Sequence, residues 1–171
     1  PASIRYWRKG YTLANTPYRG NIAWMQPNSD NQDFGLHGSE VELVEAQLRV
    51  GAFSPHRHDT YTIAVTTAGV QSFNYRGNRW RSLPGQVVIL HPDEVHDGYC
   101  CDQTGFSYRA AYLPPAHVQT VIGGAALPFL GEGVATDADL VGPALCLIAI
   151  CSAGNDLFGY QDALHQLVSA M

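Results

Sequence analysis

Between residues 41 and 113 the chain is a series of short apolar or alternating runs separated by turn residues. Val, Ile and aromatic residues dominate these runs, which is typical of strands. Arg76-Gly77-Asn78 and Pro84-Gly85 are turn signals, and residues 91–97 have the composition of a loop. Because no helical period lies between the runs, they predict an antiparallel barrel or sandwich. The predicted strands are 41–50, 61–67, 70–75, 80–83, 86–90 and 106–113.

From residue 114 onward the spacing of apolar residues changes to three and four, which predicts helices. Pro114-Pro115 is placed to begin a short helix and Gly123-Gly124 to end it. Asp139 is the predicted N-cap of a second helix that ends at Gly154, and Asn155 or Asp156 is that of a third. The second helix has an apolar stripe of Leu140, Val141, Ala144, Leu145, Ile148 and Cys151. The third helix has a stripe of Leu157, Tyr160, Leu164, Leu167, Val168 and Met171.

Residues 1–40 are rich in Asn, Gly, Pro and Ser and have irregularly spaced aromatic residues. This composition predicts an N-terminal arm with one or two short strands. The predicted organisation is a single structural domain of three segments: the arm and first strands at 1–40, a barrel at 41–113, and a helical segment at 114–171.

The composition of the chain excludes several function classes. Of the 171 residues, 46% are hydrophobic and 15% are charged, which fits a protein with a buried core and not a disordered chain. Ten Lys and Arg residues against 15 Asp and Glu give a net charge of −5. Because the basic residues are also scattered, we do not expect this chain to bind nucleic acid by itself.

Sequence signals for membranes and secretion are missing. No apolar run approaches the roughly 20 residues that a membrane span needs, and no apolar segment follows the basic N-terminus as in a signal peptide. The four cysteines have no CxxC spacing, so we expect buried apolar cysteines in a reducing compartment. The expected location is the cytoplasm.

Two histidines, His56 and His58, lie two residues apart in a segment that we expect to be extended. Side chains two apart on a strand point to the same side, so the two imidazoles are predicted to face one cavity. His96 follows the next hairpin and is the third candidate. Three converging imidazoles can bind a divalent metal ion or hydrogen-bond a polar ligand.

The order of His56-Arg57-His58, Gly69, Pro84-Gly85 and His96 resembles that of the two cupin motifs. With the residues around them and Tyr112, these motifs are similar to the N-terminal effector-binding and dimerisation domain of AraC-family transcriptional regulators, over about residues 40–171. The resemblance implies a mainly β fold, a cupin-like antiparallel β-barrel (double-stranded β-helix) followed by two or three helices. It also implies a small-molecule effector, a homodimer through the C-terminal helices, and DNA binding by a further C-terminal region, which no segment of this chain resembles.

Two interpretations of the histidines stay open. In enzyme cupins a glutamate follows His-x-His by about four residues, and Thr62 or Ile63 stands there in this chain. His56, His58 and His96 can nevertheless hold Zn²⁺, Fe²⁺, Mn²⁺ or Ni²⁺. Otherwise they line a ligand pocket as neutral hydrogen-bonding groups, with Tyr108 as a fourth member, or simply close the mouth of the barrel.

The favoured hypothesis is a sensor domain with no enzyme activity and no obligatory cofactor. The alternative is a small metal-dependent cupin enzyme, a dioxygenase or isomerase, whose ligands are the three histidines. A third hypothesis is a metal- or pH-responsive regulator. The positions that match the arginine and tryptophan of the sugar-sensing branch are Ala68 and Ala110, so an effector bulkier or more apolar than arabinose is expected. His117 and His165, on predicted helices, are expected to be exposed.

Overall fold

The structure is a computed structural model that describes residues 41–48, 52–100, 104–153 and 156–171, together with the backbone of three short strands nearer the N-terminus. Those strands are β1 (Ser3–Arg8), β2 (Tyr11–Thr12) and β3 (Thr16–Pro17), where the sequence predicted one or two. The rest of the predicted arm, the predicted helix end at Gly154 and the candidate cap Asn155 lie outside the described residues.

Nine further strands and three helices follow in the described part of the chain. The strands are β4 (Glu42–Leu48), β5 (Ala52–His56), β6 (Tyr61–Gly69), β7 (Gln71–Tyr75), β8 (Asn78–Ser82), β9 (Val87–Leu90), β10 (His96–Cys100), β11 (Phe106–Leu113) and β12 (Val134–Ala135). The helices are α1 (Pro115–Ile122), α2 (Ala138–Ala153) and α3 (Leu157–Ala170). The predicted order of strands followed by helices is confirmed, although β12 interrupts the predicted helical segment.

The described strands form two antiparallel sheets. The larger sheet has the order β12-β9-β6-β11-β4-β1-β2, with β3 also paired to β1, and the smaller sheet has the order β5-β10-β7-β8. One apolar cluster contains side chains from both sheets, among them Val44 and Ala110 of the larger sheet and Phe73 and Tyr75 of the smaller one. The two sheets are therefore the walls of a cupin-like barrel, as predicted.

Side-chain alternation gives the larger sheet two buried faces. Ala64 and Ala110 face the smaller sheet and belong to the barrel interior. The neighbouring residues Ile63 and Ala111 belong instead to a second apolar cluster, which they share with α2 and α3. On β11, and on β6 as far as Thr66, even-numbered residues therefore face the barrel interior and odd-numbered residues face the side of the helices; a register shift after Thr66 ends this alternation on β6.

The hairpin between β7 and β8 closes on Arg76 and Gly77. Their φ values of 53° and 76° fit a two-residue type I′ turn, which confirms the predicted turn. The Arg76 Nε atom lies 3.9 Å from a carboxylate oxygen of Glu94, in the loop between β9 and β10. The tip of this hairpin therefore lies at the same end of the barrel as that loop.

Aspartate side chains cap the starts of α2 and α3, with one correction to the predicted positions, whereas α1 begins at Pro115 without a side-chain cap. The Asp139 N–H donates to the side chain of Asp137 at 3.0 Å, so Asp137 and not Asp139 occupies the capping position of α2. Asp156 caps α3 by accepting from the Gly159 N–H at 2.8 Å, as predicted. Helix α1 ends at Gly123, which has a φ of 62°.

The helices bury apolar faces against the larger sheet and each other. The apolar stripe predicted for the third helix forms the buried face of α3, with Tyr160, Leu164, Leu167 and Val168 all buried. In α2, Leu147 is fully buried, whereas Leu145 of the predicted stripe is 37% exposed. Cys146 is likewise exposed and not buried as predicted. No helix in the described ranges has both the length and the apolar composition that crossing a membrane requires.

Candidate functional site

Three histidine side chains meet at one end of the barrel. His56, the last residue of β5, pairs directly with His96, the first residue of β10. His58 lies two residues beyond the end of β5. The ring centroids are 4.5 Å apart for His56 and His96, 4.9 Å for His56 and His58, and 5.2 Å for His58 and His96. The structure thus brings the three predicted residues together, although β10 begins within the predicted loop 91–97.

Backbone carbonyl groups orient two of the three rings. The Nδ1 atom of His56 lies 2.7 Å from the Ser54 carbonyl oxygen, and that of His96 lies 3.0 Å from the Glu94 carbonyl oxygen. Because a carbonyl oxygen only accepts hydrogen bonds, both Nδ1 atoms carry a proton, and Nε2 is the nitrogen of each ring that is left for a metal ion or a ligand. One ring nitrogen from each histidine lies within 4.8 Å of the other two.

Burial keeps two of the imidazoles neutral. It is the largest cause that lowers the pKa of His58 to about 4, and the charges of His96 and His56 lower that pKa further. Burial also lowers the pKa of His96 to about 4, with a contribution from His56, although the Glu94 carbonyl and Asp97 act in the opposite direction. Neutral imidazole is the form that binds a metal ion.

Two aromatic side chains lie beside the histidines: Phe53, whose ring centroid is 6.2 Å from that of His56, and Tyr112. The Tyr112 ring centroid lies 4.8 Å from that of His58. Tyr108 faces the barrel interior as predicted, but it stacks on Phe106 with centroids 6.0 Å apart. Since each strand residue adds about 3.3 Å, Tyr108 and Tyr112 lie roughly 13 Å apart along β11. A ligand contact by Tyr108 stays a prediction. Tyr112, on the same face of the same strand, belonged to the family motifs but was not predicted as a site residue.

Ala68 and Ala110, the positions that match the sugar-binding arginine and tryptophan, have different surroundings in the structure. Ala110 is fully buried in the barrel interior, where it belongs to the apolar cluster. Ala68 is exposed near the end of β6. Of these two positions, only Ala110 therefore faces the barrel interior.

A fourth histidine, His91, holds the connection between α1 and β12 against the barrel. Its Nε2 atom accepts a hydrogen bond from the Leu130 N–H at 2.7 Å, and the neighbouring Tyr61 hydroxyl donates to the Pro128 carbonyl at 2.9 Å. The His91 ring centroid lies 4.6 Å from that of Phe129. Burial, followed by the charge of Arg76, lowers the pKa of His91, and Glu94 opposes the shift. We call this arrangement of His91, Tyr61 and residues 128–130 the His91 clasp.

The two histidines on the helices, His117 and His165, differ in their exposure to solvent. His117 was expected to be exposed, but it is half-buried and its Nδ1 atom lies 2.6 Å from the Tyr160 hydroxyl. The prediction was wrong because α3 packs beside α1, which periodicity within one helix does not show. His165 is exposed on α3, as predicted.

The donor set at the barrel end fits a divalent transition-metal ion. His56, His58 and His96 supply three imidazole nitrogens, and two of the rings are fixed by second hydrogen bonds to carbonyl oxygens, as is usual for metal-binding histidines. Imidazole ligands suit Zn²⁺, Fe²⁺, Ni²⁺ and Cu²⁺ better than Mg²⁺ or Ca²⁺. The same nitrogens are equally able to accept hydrogen bonds from a ligand.

A family model described as an AraC-like ligand binding domain matches residues 39–167. The chain belongs to this family. This confirms the family that the sequence motifs resembled, and the match begins close to β4 and ends within α3. No curated protein matches the chain significantly.

Solved structures of low sequence identity match just under half of this chain. One is a Cupin 2 conserved barrel domain protein from Salinispora arenicola, with 20% identity, a TM-score of 0.43, and a match over 49% of this chain and 71% of that chain. A cupin superfamily protein from Desulfitobacterium hafniense has 13% identity, a TM-score of 0.41 and coverages of 47% and 74%. A conserved protein of unknown function from Streptococcus pyogenes has 13% identity, a TM-score of 0.41 and coverages of 44% and 65%, so the match spans just under two thirds of its length.

Proposed function

We propose that this chain is the small-molecule-sensing and dimerisation domain of a cytoplasmic AraC-type transcriptional regulator. The observation that supports this most strongly is the convergence of three histidine side chains at one end of the barrel in a chain of the AraC-like ligand-binding family. DNA binding is assigned to a different region of the regulator, because the net charge of −5 disfavours contact with a phosphate backbone by this domain.

His56, His58 and His96 are the proposed ligand-binding residues. The Nε2 atoms of His56 and His96 are preoriented by the carbonyls of Ser54 and Glu94, so little conformational entropy is lost when they bind. We propose that the three hold a divalent transition-metal ion. When bound, such an ion supplies a positive charge that attracts an electron-rich group of the effector.

The test of this site is metal content together with ligand response. Protein purified without chelator is expected to contain close to one equivalent of Zn²⁺, Fe²⁺, Mn²⁺ or Ni²⁺ by mass spectrometry, and His58→Ala is expected to lose it. His165→Ala, which removes an exposed histidine from α3, is the matched control and is expected to keep the metal. Loss of metal from both variants, or from neither, would contradict the assignment.

The homodimer is proposed on the outer side of α2 and α3. The stripe that includes Leu164 is buried inside the chain, so Leu164→Glu would disrupt the core and would not test an interface. Other apolar side chains on these helices are exposed instead, with Leu145 at 37% and Phe158 at 84%. Exposed apolar surface of this kind is typical of interfaces.

Sedimentation velocity at micromolar concentration tests this surface. Phe158→Glu is expected to convert a dimer into a folded monomer. Leu83→Glu, at a half-exposed leucine in the turn after β8, is the matched control and is expected to remain dimeric. A monomeric wild type, or a Phe158→Glu variant that still dimerises, would refute the proposed interface.

The second candidate function is a metal-dependent cupin enzyme, a dioxygenase or isomerase. The observation in its favour is the same group of three histidines, which offers a metal ion open positions for a substrate. A sensor binds its ligand and releases it unchanged, whereas an enzyme converts it. A thermal-shift screen of the metal-loaded protein identifies small molecules that stabilise it. Mass spectrometry then shows whether the protein converts each of them into a product, which would favour the enzyme over the sensor.

A further inference from the structure

Thr62 carries a buried hydroxyl group that has no hydrogen-bond partner among the described residues. The residue is 7% exposed and stands near the start of β6. A buried hydroxyl without a partner destabilises the folded state, since it gives up its hydrogen bonds to water and gains none. Such a group is therefore a candidate for binding something that the chain itself does not supply.

The position of Thr62 places its side chain in the barrel next to the histidines. Its neighbours Tyr61 and Ile63 face the helices, so strand alternation turns Thr62 to the interior, as it does Ala64. On the larger sheet Thr62 pairs with Leu90 on one side and with Tyr112 on the other. Tyr112 in turn contacts the His58 ring at 4.8 Å. One cross-strand neighbour therefore separates Thr62 from the proposed metal ligands.

Charge indicates what kind of ligand would fit. The only group of potential ligands that the described residues offer a metal ion at this point consists of three histidines, with no carboxylate among them. Imidazoles bind a metal ion in their neutral form, so a bound divalent ion would keep its full charge within this partly buried site. An anionic ligand would compensate that charge. A phosphate dianion would require several further donors, and the nearby Arg76 already lies against Glu94.

We propose that Thr62 is a specificity-determining residue whose hydroxyl donates a hydrogen bond to a carboxylate-bearing effector bound beside His58. This inference rests on the proposed metal-binding sensor and names the chemical class of its ligand. Thr62 stands close to the position at which enzyme cupins have a glutamate, so a carboxylate that the protein lacks would be brought by the ligand. The hydroxyl that is unsatisfied in the ligand-free chain would be satisfied in the complex.

The test uses the Co²⁺-loaded chain, whose visible absorption reports changes at the metal, titrated with acetate and with uncharged acetamide. Wild type is expected to bind acetate and not acetamide. Thr62→Val is expected to bind acetate roughly tenfold or more weakly, because a hydrogen bond to a charged acceptor is lost, while its affinity for Co²⁺ is unchanged. Thr62→Ser keeps the hydroxyl and is the matched control that should bind acetate like wild type.

Two further measurements extend this test, and the first of them does not depend on the metal spectrum. Metal-free Thr62→Val should melt at the same temperature as wild type or higher, since a methyl group replaces an unsatisfied hydroxyl. Glu42→Gln, which removes a negative charge from the strand on the other side of Tyr112, should strengthen acetate binding if the ligand is an anion.

The outcomes separate this inference from the proposed function. Equal acetate affinities of wild type and Thr62→Val, or a clear loss of stability in metal-free Thr62→Val, would overturn the role of Thr62 and leave the metal site standing. Binding of acetamide as strongly as acetate would overturn the anionic class. A wild type that retains no Co²⁺, or a His58→Ala variant that retains it, would overturn the metal site and this inference with it.

Discussion

In the His91 clasp, the buried His91 ring accepts a hydrogen bond from the Leu130 N–H. We expect the stability of the chain to depend on this hydrogen bond. His91→Ala removes the acceptor of the Leu130 N–H and the ring that lies between Tyr61 and Phe129. His91→Gln is the milder change, since its side-chain carbonyl oxygen can accept the same hydrogen bond. The comparison of the two variants separates the hydrogen bond from the loss of ring packing.

The expected cost follows from the contacts. An unpaired, partly buried N–H group costs about 1–3 kcal/mol, and the ring, in a residue 6% exposed, also loses its packing. We therefore expect His91→Ala to lower the free energy of unfolding by about 2–4 kcal/mol. His91→Gln should lower it by about 1 kcal/mol, because the acceptor is retained.

The free energy of unfolding is expected to fall as the pH is lowered, because of His91. The pKa of His91 is lowered in the folded chain, so below about pH 6.5 the unfolded chain binds a proton that folded His91 does not. The stability contributed by His91 is therefore complete above its unfolded pKa and falls as the pH drops through that value towards the folded pKa. The slope for one proton is at most about 1.4 kcal/mol per pH unit.

Urea unfolding followed by circular dichroism, at several pH values from about 7 to about 5, measures both effects. His58 and His96 also have lowered pKa values, so the wild-type slope contains their contributions as well. The difference in slope between wild type and His91→Gln isolates His91. Equal slopes for the two proteins, or a His91→Ala variant within about 0.5 kcal/mol of wild type, would refute the reasoning.

Three further substitutions test the fold. Gly69→Ala should destabilise the chain by about 2–4 kcal/mol in urea unfolding, because residue 69 has a φ of +69° and its new Cβ would meet the Gly105 carbonyl oxygen. Leu147→Ala should cost about 2–5 kcal/mol by the same assay, while Leu145→Ala, on the exposed side of α2, should cost less than about 1 kcal/mol. Ile63→Val should cost about 0.5–1.5 kcal/mol and leave metal content unchanged, because its side chain faces the helices.

The strands were predictable because each one carries a local signal. β6, β7, β9 and β11 are rich in β-branched and aromatic residues, and the Arg76-Gly77 turn fixes one hairpin by its own backbone geometry. β12 has two residues and depends on its pairing with β9, so no periodicity could indicate it. His96 was placed in a loop for the same reason, since its strand position depends on pairing with His56 and Tyr75.

The helix faces were only partly predictable. Helix α2 has apolar residues on every side, so spacing alone could not determine that Leu147 packs on the sheet while Leu145 faces outward. Helix α3 has polar residues opposite its apolar stripe, and its buried face was predicted correctly. The buried face of a helix can therefore be predicted from its sequence when its two sides differ clearly in polarity, as in α3 but not in α2.

The three histidines could be found from the sequence because two of them share one short segment and the third belongs to the second motif. The residues around them could not, because their roles come from cross-strand neighbours. Tyr112 acquires its role through contact with His58, and Thr62 through pairing with Tyr112. His91 acquires its role from Leu130, which is 39 residues away along the chain.

The larger sheet links the candidate site to the helices through a shared backbone. Thr62 and Tyr112 face the barrel end with the histidines, and the residues next to them, Ile63 and Ala111, face α2 and α3. A protein interior packed at crystal-like density does not absorb a displacement on one face of such a strand without moving the other. The site and the outer face of the helices, where we place the dimer, are therefore separated by the thickness of one sheet and one layer of helices. That is a short mechanical path for a domain whose proposed task is to convert ligand binding into a change between two copies.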